Sequence, residues 1–151
     1  MKLHEDSELF ATAITSAAQE LGLPEIYIEK DYWVTRSLKH LSESAISGSV
    51  VFKGGTSLSK AHKVIHRFSE DIDLAAIAVG LSDAKRKSLL KQIEHAACIG
   101  LDLASGDARV SKGSKFRKTV YKYPRMNSAG SFGQASPELL IEVNAFTRPE
   151  P

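Results

Sequence analysis

The chain has 151 residues, 42% hydrophobic and 25% charged, with a formal net charge of +2. These values suit one domain (1–151) with an ordinary core and exclude a chain that is basic throughout. A single cysteine, Cys98, rules out an intrachain disulfide, and no apolar run approaches the ~18 residues of a membrane span.

Residues 7–21 (SELFATAITSAAQEL) have helical spacing at Leu9, Phe10, Ala13, Ile14, Ala17 and Leu21. Asp6 or Ser7 supplies the cap, and Gly22 with Pro24 the stop. A second helix is predicted over 25–44, where Ile28, Tyr32, Leu38 and Leu41 recur. Within it, Lys30 and Asp31 read as a polar pair on the helix surface, and Tyr32 and Trp33 as core or interface aromatics. Val50, Val51 and Phe52 form a short buried strand between Gly48 and Gly54. Gly54-Gly55 breaks it, and a helix is expected from Thr56 to Val64. A strand follows at 71–79, then a helix at 82–97 with a Ser-Asp cap signal and one apolar face at Leu89, Leu90, Ile93 and Ala97. Strands are predicted at 116–123 and 138–146, joined by a Gly/Ser/Asn loop from Arg125 to Ser136. The order is that of a mixed α/β (α+β) domain. The chain stops just after a strand, which leads us to expect further sequence downstream. Cys98, in an apolar run, reads as a buried small hydrophobe, and the polar N-terminus has no signal-peptide pattern, so a cytoplasmic protein is expected.

The chemistry concentrates between Phe52 and Leu74. Glycines at a strand-to-helix junction let the backbone approach a ligand closely. The helix start then offers free N–H groups to an anion, with the Thr56 and Ser57 hydroxyls beside them and Lys53 and Lys60 as cations. This is not a Walker P-loop, because the glycines are adjacent and no Gly-Lys follows. Taken by itself, Gly-Gly favours a plain turn over a ligand loop. The second half of the stretch changes the balance. Asp71 and Asp73 are two apart on a predicted strand and so share a face, with Cα atoms about 6.5–7 Å apart. Their repulsion is relieved by a magnesium ion, which takes one or two carboxylates together with substrate phosphates. Glu142 is a third carboxylate, alone in the apolar run Leu139-Leu140-Ile141-Glu142-Val143. It completes a two-metal site, faces water, or pairs with a lysine of the 116–123 strand.

Gly54-Gly55-Thr56-Ser57, a short helix and Asp71-Ile72-Asp73 resemble the signature of polymerase-β-like nucleotidyltransferases. The fuller pattern Phe52–Lys60 with Arg67-Phe68-Ser69-Glu70-Asp71-Ile72-Asp73-Leu74 resembles the AbiEii/AbiGii toxin family of abortive-infection and toxin–antitoxin systems, as does Glu29-Lys30-Asp31-Tyr32-Trp33-Val34. The resemblance implies a nucleotidyltransferase core with a mixed sheet packed against helices. It also implies transfer of a nucleoside monophosphate from a nucleoside triphosphate to an acceptor hydroxyl. Asp71, Asp73 and Glu142 would be the catalytic, metal-holding carboxylates for two Mg²⁺ ions. Gly54, Gly55, Thr56, Ser57, Lys60, Arg67 and Ser69 would bind the nucleotide. A salt bridge from Arg67 to Glu70 or Asp71 is the competing reading for that residue. Family members are about twice as long, with a helical second half carrying a further lysine and aspartate, which this chain lacks. The resemblance therefore leaves three readings open: an enzyme toxin with a cognate antitoxin, a binding module without turnover, or a nucleotidyltransferase-type antitoxin.

Seven basic residues and no acid occur between Arg109 and Arg125, with Phe116, Tyr121 and Tyr123 among them. The segment reads either as an RNA-tracking surface or as a solvated basic hairpin. The five histidines have no zinc-ligand spacing; His62 and His66 read as surface residues.

Overall fold

Alternation along the strands decides the architecture. Ile72 and Leu74, and likewise Leu139, Ile141 and Val143, are buried in one core, which leaves Asp71, Asp73 and Glu142 on the other side of the same strands. The computed structural model describes residues 2–60, 71–126 and 136–146, with the side chains of 58–60 outside that description.

Four α-helices and six strands are described, besides short 3-10 turns at Leu3–Glu5 and Ser47–Ser49: α1 (Ser7–Leu21), α2 (Glu25–Ser42), β1 (Val50–Lys53), α3 (Gly54–Lys60), β2 (Asp71–Ala76), α4 (Asp83–Ala97), β3 (Asp102–Leu103), β4 (Ser111–Lys112), β5 (Phe116–Lys122) and β6 (Leu139–Asn144). The sheet order is β1-β2-β6-β5-β3, with β4 also on β5. Strands β2 and β6 are parallel and every other pair is antiparallel, giving the mixed sheet expected from the sequence.

The helices end where their sequences stop supporting them. Asp6 caps α1 by accepting from the Leu9 N–H at 3.0 Å, and Gly22 closes it at φ 64°. The Ser82 hydroxyl caps α4 through the Lys85 N–H. Helix α1 buries only Phe10, Ile14 and Ala18, whereas Leu9 and Leu21 are exposed. The predicted stripe is wider than the observed one because α1 packs mainly on α2, a single neighbouring cylinder. Helix α2 ends at Ser42, and the strand predicted to run to 79 ends at Ala76. Its partner β1 begins at Val50, directly opposite Ala76, and beyond that pair the register continues only as the Ile77 N–H donating to the Ser49 carbonyl at 2.8 Å. Strands β3 and β4, two residues each, were too short for periodicity to reveal.

The core joins Trp33, Val34 and Leu41 of α2 and Leu90, Ile93 and Ala97 of α4 to the apolar sheet face. Trp33 is buried, stacked on Tyr123 with centroids 5.8 Å apart, and Tyr32 packs on Phe10 at 4.8 Å, so both aromatics are packing residues. Lys30 departs from expectation. It is fully buried rather than on a helix surface, and its Nζ donates to the Ser136 carbonyl at 2.7 Å. Its neighbour Glu29 is buried as well and accepts from the Met126 N–H at 2.7 Å. Burial raises the Glu29 pKa above its ordinary value, opposed by that N–H and by Arg125. Two consecutive charges of α2 thus hold backbone groups on either side of the 127–135 stretch. That stretch, which includes most of the predicted loop, lies outside the described residues.

On the core face, Glu94 of α4 is clamped by Arg117 Nε at 2.6 Å and the Tyr121 hydroxyl at 2.8 Å, both from β5. Cys98 is buried beside it and its thiol is pushed up by that burial. No helix among the described residues is long and apolar enough to cross a membrane.

The Glu94 clamp is testable. Removing one member of a buried, hydrogen-bonded ion pair costs about 3–5 kcal/mol because the other charge is left uncompensated. Glu94→Ala is expected to lose stability of that order in urea denaturation. A Glu94→Leu/Arg117→Met double variant should recover most of it. Equal losses in the two variants would show that Glu94 and Arg117 are not energetically coupled.

Candidate active site

Strand β1 delivers Lys53 and then turns at Gly54, whose φ of 77° favours glycine strongly. Helix α3 starts here, two residues earlier than predicted. A Cβ on Gly54 would lie 3.0 Å from Asp73 Cβ and closer still to the Asp73 carboxylate. The glycine is therefore required both for the turn and for the room that Asp73 occupies. One turn on, Thr56 and Ser57 are buried, and the Thr56 hydroxyl donates to the Asp71 main-chain carbonyl at 2.5 Å. That bond fastens α3 to β2 and takes up the proton of the Thr56 hydroxyl. The two halves of the motif, far apart in sequence, are in direct contact here.

The ladder registers set out the acids. Asp73 lies opposite Lys53 of β1 on one side and Glu142 of β6 on the other, and Glu142 lies opposite Lys118 of β5. One row across four strands therefore reads Lys53, Asp73, Glu142, Lys118. Asp71 stands two residues along β2 on the same face, and it is exposed where the four row residues are half-buried. The Asp73 carboxyl is held above its ordinary range by burial first and then by the Glu142 and Asp71 charges, while Lys53 and Lys118 oppose the shift. Among the described residues none of the four row members forms a direct salt bridge or side-chain hydrogen bond. The charges are close enough to be felt and are not engaged with one another.

Whether this set suits a metal ion follows from its chemistry. Among the described residues no three His, Cys, Asp or Glu side chains converge so as to hold an ion by themselves. Magnesium does not demand such a cage, since one or two carboxylates commonly share it with substrate phosphates and water. Oxygen donors crowded on one face fit that mode. Cavities of about 320, 300 and 370 Å³ lie elsewhere, around Phe146, Phe52 and Tyr32, and none is lined by Asp71, Asp73 or Glu142.

Of the other residues singled out in the sequence, Arg67, Ser69, Glu70, His62 and His66 lie outside the described residues, as does the side chain of Lys60. The basic stretch divides. Arg109 is held by Asp107 at 2.6 Å and Glu138 at 3.1 Å, and Arg117 is in the buried Glu94 clamp. Lys112, Lys115 and Lys122 are exposed, and Lys118 stands in the acid row. The sequence offered a lysine of the 116–123 strand as a neighbour for Glu142 without singling one out, and the ladder places Lys118 there. Alternation along β5 was the available signal, but it becomes informative only once Glu142 and Lys118 are known to be in register.

The profile of the family described as nucleotidyl transferase AbiEii toxin, of the type IV toxin–antitoxin system, matches residues 36–151. A crystal structure described as a candidate nucleotidyltransferase from H. pylori superposes with a TM-score of 0.52 at 20% identity, over 85% of this chain and 49% of that one. The chain thus spans about half the length of that protein, and the likeness at this identity is one of fold. No curated protein matches the chain.

The contact between Gly54 and Asp73 can be measured as a coupling. Gly54→Ala is expected to destabilise the fold through the positive φ, by about 1–2 kcal/mol, and additionally through the Asp73 clash. In an Asp73→Ala background the carboxylate part of that clash disappears and only the 3.0 Å approach of the two Cβ atoms remains, so the double-mutant cycle should show non-additivity of about 1 kcal/mol in urea denaturation. Strict additivity would show that the two residues do not share space.

Proposed function

The chain belongs to the AbiEii nucleotidyl transferase toxin family, and from that premise we propose that it moves a nucleoside monophosphate from a nucleoside triphosphate to an acceptor hydroxyl. The observation that carries this reading is the packing of Gly54 on Asp73, which joins the glycine turn to an acidic strand.

In this reading the main-chain N–H groups around Gly54 and Gly55, with Ser57, hold the terminal phosphates, and Lys53 adds charge beside them. Lys60, Arg67 and Ser69 are assigned to the nucleotide from their places in the motif. Asp71, Asp73 and Glu142 hold magnesium, which when bound neutralises phosphate charge and lowers the pKa of the acceptor hydroxyl. The acceptor oxygen forms a bond to the α-phosphorus while the bond to the bridging oxygen of pyrophosphate breaks. Pyrophosphate leaves with the electron pair, and the hydroxyl proton passes to solvent. The chain contributes alignment and a fixed field, the main sources of rate in phosphoryl-type transfer. Biologically, we assign it the role of a toxin held in check by a cognate antitoxin, acting on RNA in the cytoplasm; the single buried Cys98 supports a reducing compartment.

A second reading has one observation in its favour. Among the described residues no three carboxylates converge so as to hold an ion by themselves, which supports a module that binds nucleotide without turnover.

Incubation with each α-labelled triphosphate, Mg²⁺ and total RNA separates the two. Label is expected in RNA with the wild type and is expected to fall at least 100-fold in Asp71→Ala/Asp73→Ala. Metal-dependent triphosphate binding without label transfer would support the binding module. Binding or transfer indifferent to the aspartates would overturn the site assignment.

A further inference from the structure

The row Lys53, Asp73, Glu142, Lys118 has a direction. Lys53 is joined to the Gly54-Gly55 turn, so its end of the row is the triphosphate end. In an in-line displacement the attacking and leaving oxygens lie on opposite sides of the reacting phosphorus. With the leaving pyrophosphate at the glycine end, the acceptor enters from the far end, past Glu142, where Lys118 stands. Lys118 is half-buried and, among the described residues, in no salt bridge, unlike Arg109 and Arg117 of the same basic stretch. The strand continues that charge outward. Lys122 shares the face of Lys118 and is exposed, although Asp102 lies opposite it in the ladder.

We propose that Lys118 is an acceptor-binding residue, its ammonium pairing with a phosphate of an acceptor nucleic-acid strand while Lys53 serves the triphosphate. This rests on the assignment of Asp71, Asp73 and Glu142 given above. It narrows the seven basic residues between Arg109 and Arg125 to one cation whose position in the sheet is fixed by the same ladder as the carboxylates. The lysines at the two ends of one row then sort the two substrates, and neither can replace the other.

The test uses two probes on the whole chain: a non-hydrolysable α,β-methylene triphosphate with Mg²⁺, and a short fluorescein-labelled single-stranded RNA of mixed sequence. Lys118→Gln is expected to weaken RNA binding roughly five- to tenfold at low salt and to reduce the salt slope by about one. Triphosphate binding should be unchanged. Lys53→Gln should do the reverse, and Lys118→Arg should retain RNA binding. The proposal is overturned if Lys118→Gln leaves RNA affinity and slope unchanged, if it weakens the triphosphate as Lys53→Gln does, or if the wild type does not bind the RNA. Asp73→Asn keeps the two levels apart. If it abolishes Mg²⁺-dependent triphosphate binding while Lys118→Gln has no effect on RNA, only the Lys118 assignment fails. If that binding survives Asp73→Asn, the underlying site fails.

Discussion

Asp73 occupies the space that any side chain at position 54 would fill, and the geometry of the candidate site follows from that contact. The turn after β1 runs through a positive φ at Gly54, which brings the start of α3 onto β2. Thr56 then locks the approach by donating to the carbonyl of Asp71. A phosphate bound at the turn and a cation bound at the aspartates would therefore be neighbours by construction. Neither feature specifies a function separately. A Gly-Gly turn is common, and two acids on a strand can simply face water.

The sheet extends the same logic sideways. Parallel pairing of β2 with β6 sets Glu142 beside Asp73, and antiparallel pairing of β6 with β5 sets Lys118 beside Glu142. A slip of one residue in either ladder would move the charge to the core face. The register is held on that core face by Ile72, Leu74, Ile141 and Val143, and by the Glu94–Arg117–Tyr121 clamp that ties α4 to β5. The buried Glu29 and Lys30 of α2 add main-chain anchors after β5 and before β6. Charges buried in the core thus fix the strands that carry the charges of the site.

Much of this was legible in the sequence, for identifiable reasons. The helices and the longer strands were read from period, apolar runs and flanking breakers, and α1 and α4 also from their caps, as Asp6, Gly22 and Ser82 illustrate. The acids could be assigned to one face because strand alternation needs no tertiary knowledge. Three things were not legible. Strand ends depend on partners, so β2 stops opposite the start of β1 rather than where its apolar run ends. Helix-face polarity depends on what lies across from the helix, so the adjacent charges of Glu29 and Lys30 looked like surface until the 126 and 136 main-chain groups were seen against them. Cross-strand order depends on topology, so the basic stretch looked uniform although Arg117 points into the core and Lys118 into the acid row.

The central claim is that the glycine turn and the acid row are one site, sharing metal and triphosphate. Calorimetric titration of Mn²⁺, as a spectroscopically convenient substitute for Mg²⁺, with and without an α,β-methylene triphosphate tests it most directly. Weak binding to the protein alone, strengthened at least tenfold by the triphosphate and lost in Asp73→Asn, is the predicted result. Mn²⁺ binding that is indifferent to the triphosphate, or that survives Asp73→Asn, would contradict it.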